Sequence, residues 1–505
     1  MRLTHYYSIS EVRLTVKGIT KSKLIQKLPI SRLGIFSLNL LSSLLYLDIF
    51  RPLLTRLGRS LVRVYLNEKG APPDKRRIVH ERKLLSLSIV RSVERSMKKG
   101  FVSLPVIRKV TALWVKALFI PSRQRHAVKN FKEQYHRAPP WFLAISPGRG
   151  CNLRCPGCYS SADGEDKKLS WHVLNRLVNE ARSLWDIKVV VLSGGEPLAY
   201  QSEGKSIIDL VESHPDLMFL MFTNGTLLTE PIAARLAELG NLTAAFSVEG
   251  MRHRTDQRRG SGIFDTVTAS MANMRRAGLP FGISVTVTRD NVEEVLSGEF
   301  LDYFFERQGA FYAFYFQYMP IGRKPDFEIM PTPAQRIEFW KKAWRIIEER
   351  QLFLIDFWNH GTLVKGCIAA GRGGGYLHVD WNGNVMPCVF APYSAGNIHE
   401  IYSKGGNLNN LWEAPFLETI RKWQDSYGYA EQELSPQANW LRPCPFRDHH
   451  STFEEWIGAH QPEPEDEAAG EALLDTVYCQ RLQQYGKDFA DLCQNIWEKE
   501  YLSHP

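Results

Sequence analysis

The chain has 505 residues, 44% hydrophobic and 11% aromatic, which allows several domains with a large apolar core and excludes a globally disordered polymer. Its formal charge of +9 is unevenly placed: residues 1–135 hold 28 Lys/Arg against 7 Asp/Glu, whereas the rest holds 35 against 47. The first ten residues lack the apolar core of an export signal, so the eight cysteines are expected as metal ligands or reactive thiols rather than as a disulfide framework.

Residues 1–130 read as a basic, mainly helical extension, split near 71–74 by two prolines, with Leu41, Leu44, Leu45, Leu47 and Ile49 near helical spacing. Neither 33–50, which Ser37, Asn39, Ser42, Ser43 and Asp48 interrupt, nor 110–120 reaches the roughly 18–20 apolar residues that a spanning helix needs. Basic helices with apolar faces can lie on anionic lipid. The expectation is a cytoplasmic protein with possible peripheral membrane contact, the alternative being a solvated helical domain packed on the rest. Nucleic acid is not expected as a partner, because no RNA-binding motif accompanies the charge.

From residue 141 the pattern alternates. Strand-like runs fall at 141–146, 187–193, 217–223, 242–248, 280–286 and 311–319, with helical patterns near 170–185, 204–213, 230–239, 263–277, 292–308 and 333–350. Such alternation predicts α/β architecture with parallel β/α units over 131–351, as an open sheet or a barrel. Residues 352–460 change to Gly-rich loops and short strands, predicting a small α+β region. Residues 461–505 read as an acidic, Pro/Glu-rich linker followed by an amphipathic helix, whose Cys479 and Cys493 are expected as packing residues.

Directly after the first predicted strand comes Gly150-Cys151-Asn152-Leu153-Arg154-Cys155-Pro156-Gly157-Cys158. Three thiolates so close in sequence converge only if the backbone loops around a common centre, which the glycines and proline permit. Three soft ligands suit an iron–sulfur cluster with one iron left open to a non-protein ligand. A zinc site completed by a distant residue is the alternative, although zinc motifs usually pair their cysteines. Other polar groups fall at later strand ends, where parallel β/α folds gather ligands: Gly194-Gly195-Glu196-Pro197, Thr223-Asn224, Ser247, Glu249 and Thr286. Glycines at 194 and 195 would let backbone approach a ligand, and Glu196 offers a carboxylate to an ammonium group.

The C-x3-C-x2-C spacing, followed by Ser193-Gly194-Gly195-Glu196-Pro197, resembles the radical S-adenosylmethionine (SAM) superfamily. The resemblance covers about residues 140–350 and implies a partial (β/α)6 barrel of the TIM type. It implies that Cys151, Cys155 and Cys158 bind a [4Fe–4S] cluster whose fourth iron is chelated by SAM. It further implies that Glu196 meets the methionine amino group, with Ser247 and Glu249 facing the ribose or methionine portion. Arg259, in Arg259-Gly260-Ser261-Gly262-Ile263-Phe264, becomes a partner for the methionine carboxylate, the alternative being a solvated loop arginine. The implied chemistry is reductive cleavage of SAM to a 5′-deoxyadenosyl radical that abstracts hydrogen from a peptide or protein, a lipid or a small metabolite. An external electron donor of the flavodoxin or ferredoxin type is implied as well. One departure is Gly157, where the family usually carries an aromatic residue before the third cysteine; Tyr159 is the expected substitute.

Downstream, Cys367 and Cys388 flank a predicted hairpin around Asn382-Gly383. Their spacing resembles the opening of SPASM or twitch extensions, which hold auxiliary iron–sulfur clusters, with Cys444 as a third ligand. Asp448, His449, His450, a tail cysteine or a substrate atom are the candidates for a fourth ligand, and isolated buried thiols are the plainer alternative. Two other function classes are weighed: a zinc-binding scaffold, and a basic nucleic-acid-binding protein with a structural metal.

Overall fold

The computed structural model describes residues 51–71, 75–119, 125–162, 166–429 and 434–502. The apolar stretch 33–50 and the rest of 1–50 lie outside the described residues.

Six strands follow the predicted runs: β1 (Phe142–Ile145), β2 (Val189–Leu192), β3 (Met218–Thr223), β4 (Leu242–Val248), β5 (Phe281–Val287) and β6 (Ala313–Gln317). Each pairs in parallel with its predecessor, and β7 (Leu354–Asp356) extends the series. The helices between them are bounded by local chemistry. Ser170 caps the N-terminus of Trp171–Trp185, and Thr332 with Gln335 forms a capping box for Pro333–Arg350. Helix Ile263–Ala277 ends at Gly278 in the left-handed conformation. Strand residues alternate between a face buried beneath helices, such as Phe219 and Met221, and a partly open inner face, such as Phe222, Phe314 and Phe316. This is the barrel-like α/β core expected.

The sheet of the core continues into the C-terminal region. Strand β8 (Tyr376–Val379) pairs in parallel with β1, Phe142 opposite Tyr376, and β9 (Val385–Met386) folds back on β8, so one nine-stranded sheet runs through both parts. Long-range pairing overrides the change in sequence texture near residue 352.

The stretch expected as a linker is also structured. Glu463–Pro464 pairs with Tyr393–Ser394, and Asp466 caps the helix Glu467–Leu474. The Asp466 carboxylate accepts from Ser161 Oγ at 2.9 Å. The last helix, Thr476–Trp497, buries Leu482, Phe489, Cys493 and Trp497 against the body.

At the other end, helix α1 (Arg51–Tyr65) packs on α2 (Arg76–Lys98). Helix α2 buries Glu81, whose oxygens accept from Thr362 Oγ1 at 2.6 Å and Tyr501 Oη at 2.5 Å, with Arg77 at 3.2 Å. Arg95 reaches the carbonyl of Ala310 at 3.1 Å. The described part of the basic extension is therefore joined to the barrel and to the chain's end. Among the described residues no helix is long and apolar enough to cross a membrane.

Candidate active site and metal centres

The loop carrying Cys151, Cys155 and Cys158 leaves the C-terminal end of β1 and is gripped from three sides. From the end of β2, Gly195 N–H donates to Gly148 O at 3.0 Å and Glu196 N–H to Gly150 O at 2.9 Å. A Cβ at Gly195 would sit 2.2 Å from Gly150 O, and one at Gly194 would sit 2.7 Å from Ser146 Cβ. The Cβ positions of both glycines are thus filled by residues 146–150, the segment that leads from β1 into the cysteine loop. From beyond β6, Arg323 donates to Cys155 O at 3.0 Å and to Ala162 O, while its own amide reaches Cys158 O at 2.9 Å. From beyond β4, Arg258 donates to Pro156 O and Gly157 O, both at 3.3 Å. With its carbonyls tied down, the loop holds three half-buried thiols together, and burial, followed by Glu196 and the other two thiols among the raising influences, pushes Cys151 up to about 11.

Each strand-end group has a defined place. The Glu196 carboxylate accepts from Thr223 Oγ1 at 2.7 Å, Asn224 N–H at 2.7 Å and Leu198 N–H at 3.1 Å, and burial raises its pKa despite them. Asn224 Nδ2 lies 3.7 Å from Cys151 Sγ and 2.9 Å from Asn152 Oδ1. Pro197 begins the short turn behind Glu196. Ser247 is half-buried near the end of β4, and Thr286, near the end of β5, accepts through its carbonyl from Asn291 at 2.9 Å.

Glu249 is buried, and its Oε1 accepts from Arg258 at 2.8 Å and from Arg259 at 2.8 and 2.5 Å. Arg259 is thus no solvated loop residue, because an ion pair with a buried carboxylate holds it beside the cysteines. The other Glu249 oxygen, Oε2, is buried with no hydrogen-bond partner. A buried carboxylate oxygen with a vacant lone pair is costly unless a ligand donates to it, and a ribose hydroxyl or an ammonium group has that chemistry.

Tyr159, the expected substitute for the aromatic at position 157, turns away: its hydroxyl accepts Gly194 N–H at 3.1 Å, and burial pushes its pKa up to about 12. Tyr318 fills the role of a neighbouring ring instead. Gly157 has φ +60°, and a Cβ there would lie 2.6 Å from Tyr318 Cε2. Tyr318 and Arg323 carry no motif that sequence reasoning could have used. Arg258 had a faint one, standing next to Arg259.

The second group of cysteines gathers as the hairpin predicts. Ala370 N–H donates to Pro387 O at 2.8 Å, laying the Cys367 and Cys388 segments side by side. Burial, then the neighbouring Cys444 and Cys367, push the Cys388 thiol up, and burial, then Asp448, raise Cys444 to about 12. Backbone amides point at each sulfur: Ala369 at Cys367 at 3.5 Å, Phe390 and Ala391 at Cys388, and Arg447 at Cys444. Such amide–sulfur bonds favour thiolate and tune an iron–sulfur cluster.

The protein side chains considered as a fourth ligand are committed elsewhere. Asp448 binds Arg336 at 2.6 and 3.1 Å and Arg447 at 3.2 Å, and against its burial these guanidinium groups hold it well below the usual carboxylate range. His449 Nε2 bonds Arg442 O at 3.0 Å, and Cys493 lies against Asn439. His450, Glu454 and Cys479 bring their donor atoms within 4.8 Å of one another between the last helices. They are the one such trio among the described residues; Cys151, Cys155 and Cys158 are spread wider. A single zinc with bonds of about 2.3 Å would draw three thiolates to about 3.8 Å apart, whereas a polynuclear cluster spaces them because each sulfur meets a different iron.

Between the two cysteine groups the barrel's inner face is aromatic. Phe222 lies 5.7 Å from Phe314 and 5.4 Å from Phe316, and Phe316 lies 5.3 Å from Phe357 and 5.8 Å from Phe390. Phe390, two residues beyond Cys388, sits 5.8 Å from Tyr159, the neighbour of Cys158.

Residues 145–297 match the radical SAM superfamily, and residues 367–433 match the iron-sulfur cluster-binding domain SPASM. The AdoMet-dependent heme synthase of Methanosarcina barkeri is 29% identical over 315 residues, covering 57% of this chain and 85% of the relative. The sporulation killing factor maturation protein SkfB of Bacillus subtilis is 29% identical over 268 residues, covering 50% and 60%. A solved structure of native anSMEcpe with bound AdoMet and Cp18Cys peptide superimposes with a TM-score of 0.49 at 18% identity, covering 72% of this chain and 99% of that one. The chain carries a radical SAM domain over residues 145–297 and an iron–sulfur cluster-binding domain of the SPASM type over residues 367–433, and the first marks an enzyme and implies a [4Fe–4S] cluster with SAM.

Proposed function

We propose that Cys151, Cys155 and Cys158 hold the SAM-binding cluster, that Cys367, Cys388 and Cys444 hold one auxiliary cluster, and that the substrate lies in the aromatic chamber between them. When bound, the first cluster and SAM supply a 5′-deoxyadenosyl radical for hydrogen abstraction. The chain's part is to fix geometry and exclude water. Arg258 and Arg323 clamp the loop that presents the thiols. Glu196 is held by Thr223 and Asn224 with lone-pair capacity to spare for the amino group of SAM, Ser247 flanks the cofactor, and Arg259 orients Glu249. The observation that carries this reading is the orphaned Glu249 Oε2, a buried acceptor beside the clamped cysteine loop.

The chamber favours a small substrate with a flat apolar part over a peptide. Rings offer stacking area, whereas an extended peptide brings backbone N–H and C=O groups that need polar partners. A heme, the product in the name of one relative, has that shape. The peptide of the other and a lipid are the competing classes. The reading includes an external electron donor of the flavodoxin or ferredoxin type, and contact between the basic N-terminal region and a membrane surface, supported by that region's charge.

The test is anaerobic reconstitution with iron, sulfide and deoxyadenosine assays. About eight irons per chain are expected for two cubane clusters. The Cys151→Ala/Cys155→Ala/Cys158→Ala variant should lose deoxyadenosine formation and keep the auxiliary iron; retained cleavage overturns the assignment. Porphyrins added to the reconstituted enzyme should raise deoxyadenosine yield, and a response to peptides alone would reverse the order of substrate classes.

A further inference from the structure

Helix α1 is amphipathic in an unusual arrangement. Its sequence, Arg51-Pro52-Leu53-Leu54-Thr55-Arg56-Leu57-Gly58-Arg59-Ser60-Leu61-Val62-Arg63-Val64-Tyr65, has four arginines and no acid. One face packs on α2, with Thr55 buried and Gly58 open to Val90 at 3.7 Å from a built Cβ. The outward face is apolar: Leu53, Leu57, Leu61, Val64 and Tyr65 are 63, 53, 48, 72 and 52% exposed. These five are nearly half of the large hydrophobic residues that stand exposed among the described residues, and at helical spacing they form one stripe. A stripe of this kind on a soluble surface marks an interaction site.

Beside the stripe lies a polar cavity of about 490 Å³ lined by Pro52, Thr55, Arg56, Arg59, Ser60, Arg63 and Glu94. Arg59 is paired with Glu94 at 2.5 Å, whereas Arg56 and Arg63 make no ion pair with another described residue. Two uncommitted guanidinium groups around a cavity match a phosphate, and the apolar stripe next to them matches acyl chains. A protein partner would have to supply acidic and apolar groups in the same register. A bilayer of anionic lipid supplies both at every point, and the strongly basic balance of residues 1–135 adds long-range attraction to it.

We infer that α1 is a membrane-docking helix that inserts its Leu53–Leu57–Leu61–Val64 stripe among the acyl chains of an anionic bilayer while Arg56 and Arg63 take a lipid phosphate in the adjoining cavity. The inference rests on the reading that the basic region meets a membrane, and it names the surface and the lipid chemistry. It would bring the enzyme to substrates or electron carriers held at the membrane.

The test uses the full chain, with flotation on vesicles of phosphatidylcholine and on vesicles of phosphatidylcholine mixed equally with phosphatidylglycerol. The unaltered protein should float with the mixed vesicles and not with phosphatidylcholine alone. Arg56→Glu/Arg63→Glu should weaken binding at least about 25-fold, from about fivefold per basic group removed. Leu57→Glu/Leu61→Glu should abolish it. Iron content and deoxyadenosine formation should stay unchanged in both, which separates lost docking from lost folding or chemistry. Undiminished flotation of both variants overturns the role of α1 while leaving membrane contact through another segment. No flotation of the unaltered chain overturns both. Concentration-dependent dimerisation that Leu57→Glu/Leu61→Glu abolishes, without lipid binding, would assign the stripe to a second copy instead.

Discussion

Replacing Gly195 by alanine tests whether the cysteine loop is held where the chemistry needs it. The new methyl would meet Gly150 O at 2.2 Å and Arg149 O at 2.5 Å, against an ordinary contact of 3.4 Å or more. Gly195 is not in the left-handed region, so the effect is steric alone. The cysteine loop must retreat by about 1.2 Å, the difference between those distances. That retreat also breaks the 2.9 Å bond from Glu196 N–H to Gly150 O. Overpacking costs about 1–3 kcal/mol and a lost hydrogen bond about 1 kcal/mol, so the variant should be destabilised by about 2–4 kcal/mol. Misplacement of reacting groups by about 1 Å lowers rates by about 100-fold. Thermal unfolding of the apoprotein and the deoxyadenosine rate of the reconstituted enzyme measure the two effects. Gly298→Ala is the control, since a Cβ there meets nothing within 4 Å. A Gly195→Ala enzyme with unaltered stability and rate would show that the loop is not wedged between the ends of β1 and β2.

Arg323→Ala removes charged donors from Cys155 O and Ala162 O, at about 1.5–3 kcal/mol each, and should speed iron loss to a chelator, followed by bleaching of the cluster absorbance. Glu249→Gln leaves Arg258 and Arg259 without their carboxylate, should destabilise the fold by about 3–5 kcal/mol, and should raise the KM for SAM; an unchanged KM would separate Glu249 from the cofactor. Cys388→Ser should roughly halve the iron content while leaving SAM cleavage in place, as shown by iron assay and deoxyadenosine yield. Asp356 offers a pH test: burial raises its carboxyl from the ordinary 3.8 to about 6, so the folded state holds a proton that the unfolded chain has released. Stability from this group is present below pH 4 and is lost as pH rises through 6, by about 3 kcal/mol. Urea midpoints of Asp356→Asn and the parent should therefore diverge between pH 4 and pH 7, the variant gaining; parallel curves would refute the assignment.

Much of this architecture was legible because its signals are local. The alternation of apolar runs with capped helices places β1–β6 to within a few residues, and the crowding of Cys151, Cys155 and Cys158 marks the loop that strand geometry then carries to the barrel's mouth. The pairing of Phe142 with Tyr376 was not legible, because parallel strands distant in sequence leave no turn chemistry between them. Nor were Tyr318 and Arg323, whose partners are backbone carbonyls that any sequence provides. The glycines at 194 and 195 were visible as a motif, but the packing of residues 146–150 against them was not, since only coordinates show which chain segment lies beside a glycine. Glu81 left a trace of another kind: an acid in a strongly basic helix, which the structure explains by its buried partners.

That carboxylate has a consequence for synthesis. Glu81 is made early, Thr362 follows 281 residues later and Tyr501 only 420 residues later, yet all three share one buried knot. Burial without its partners disfavours the charged carboxylate strongly, so α2 cannot settle on the barrel in final form until the last helix has left the ribosome. Closure of this knot then waits on Tyr501, and removing residues 498–502 would be felt first at α2.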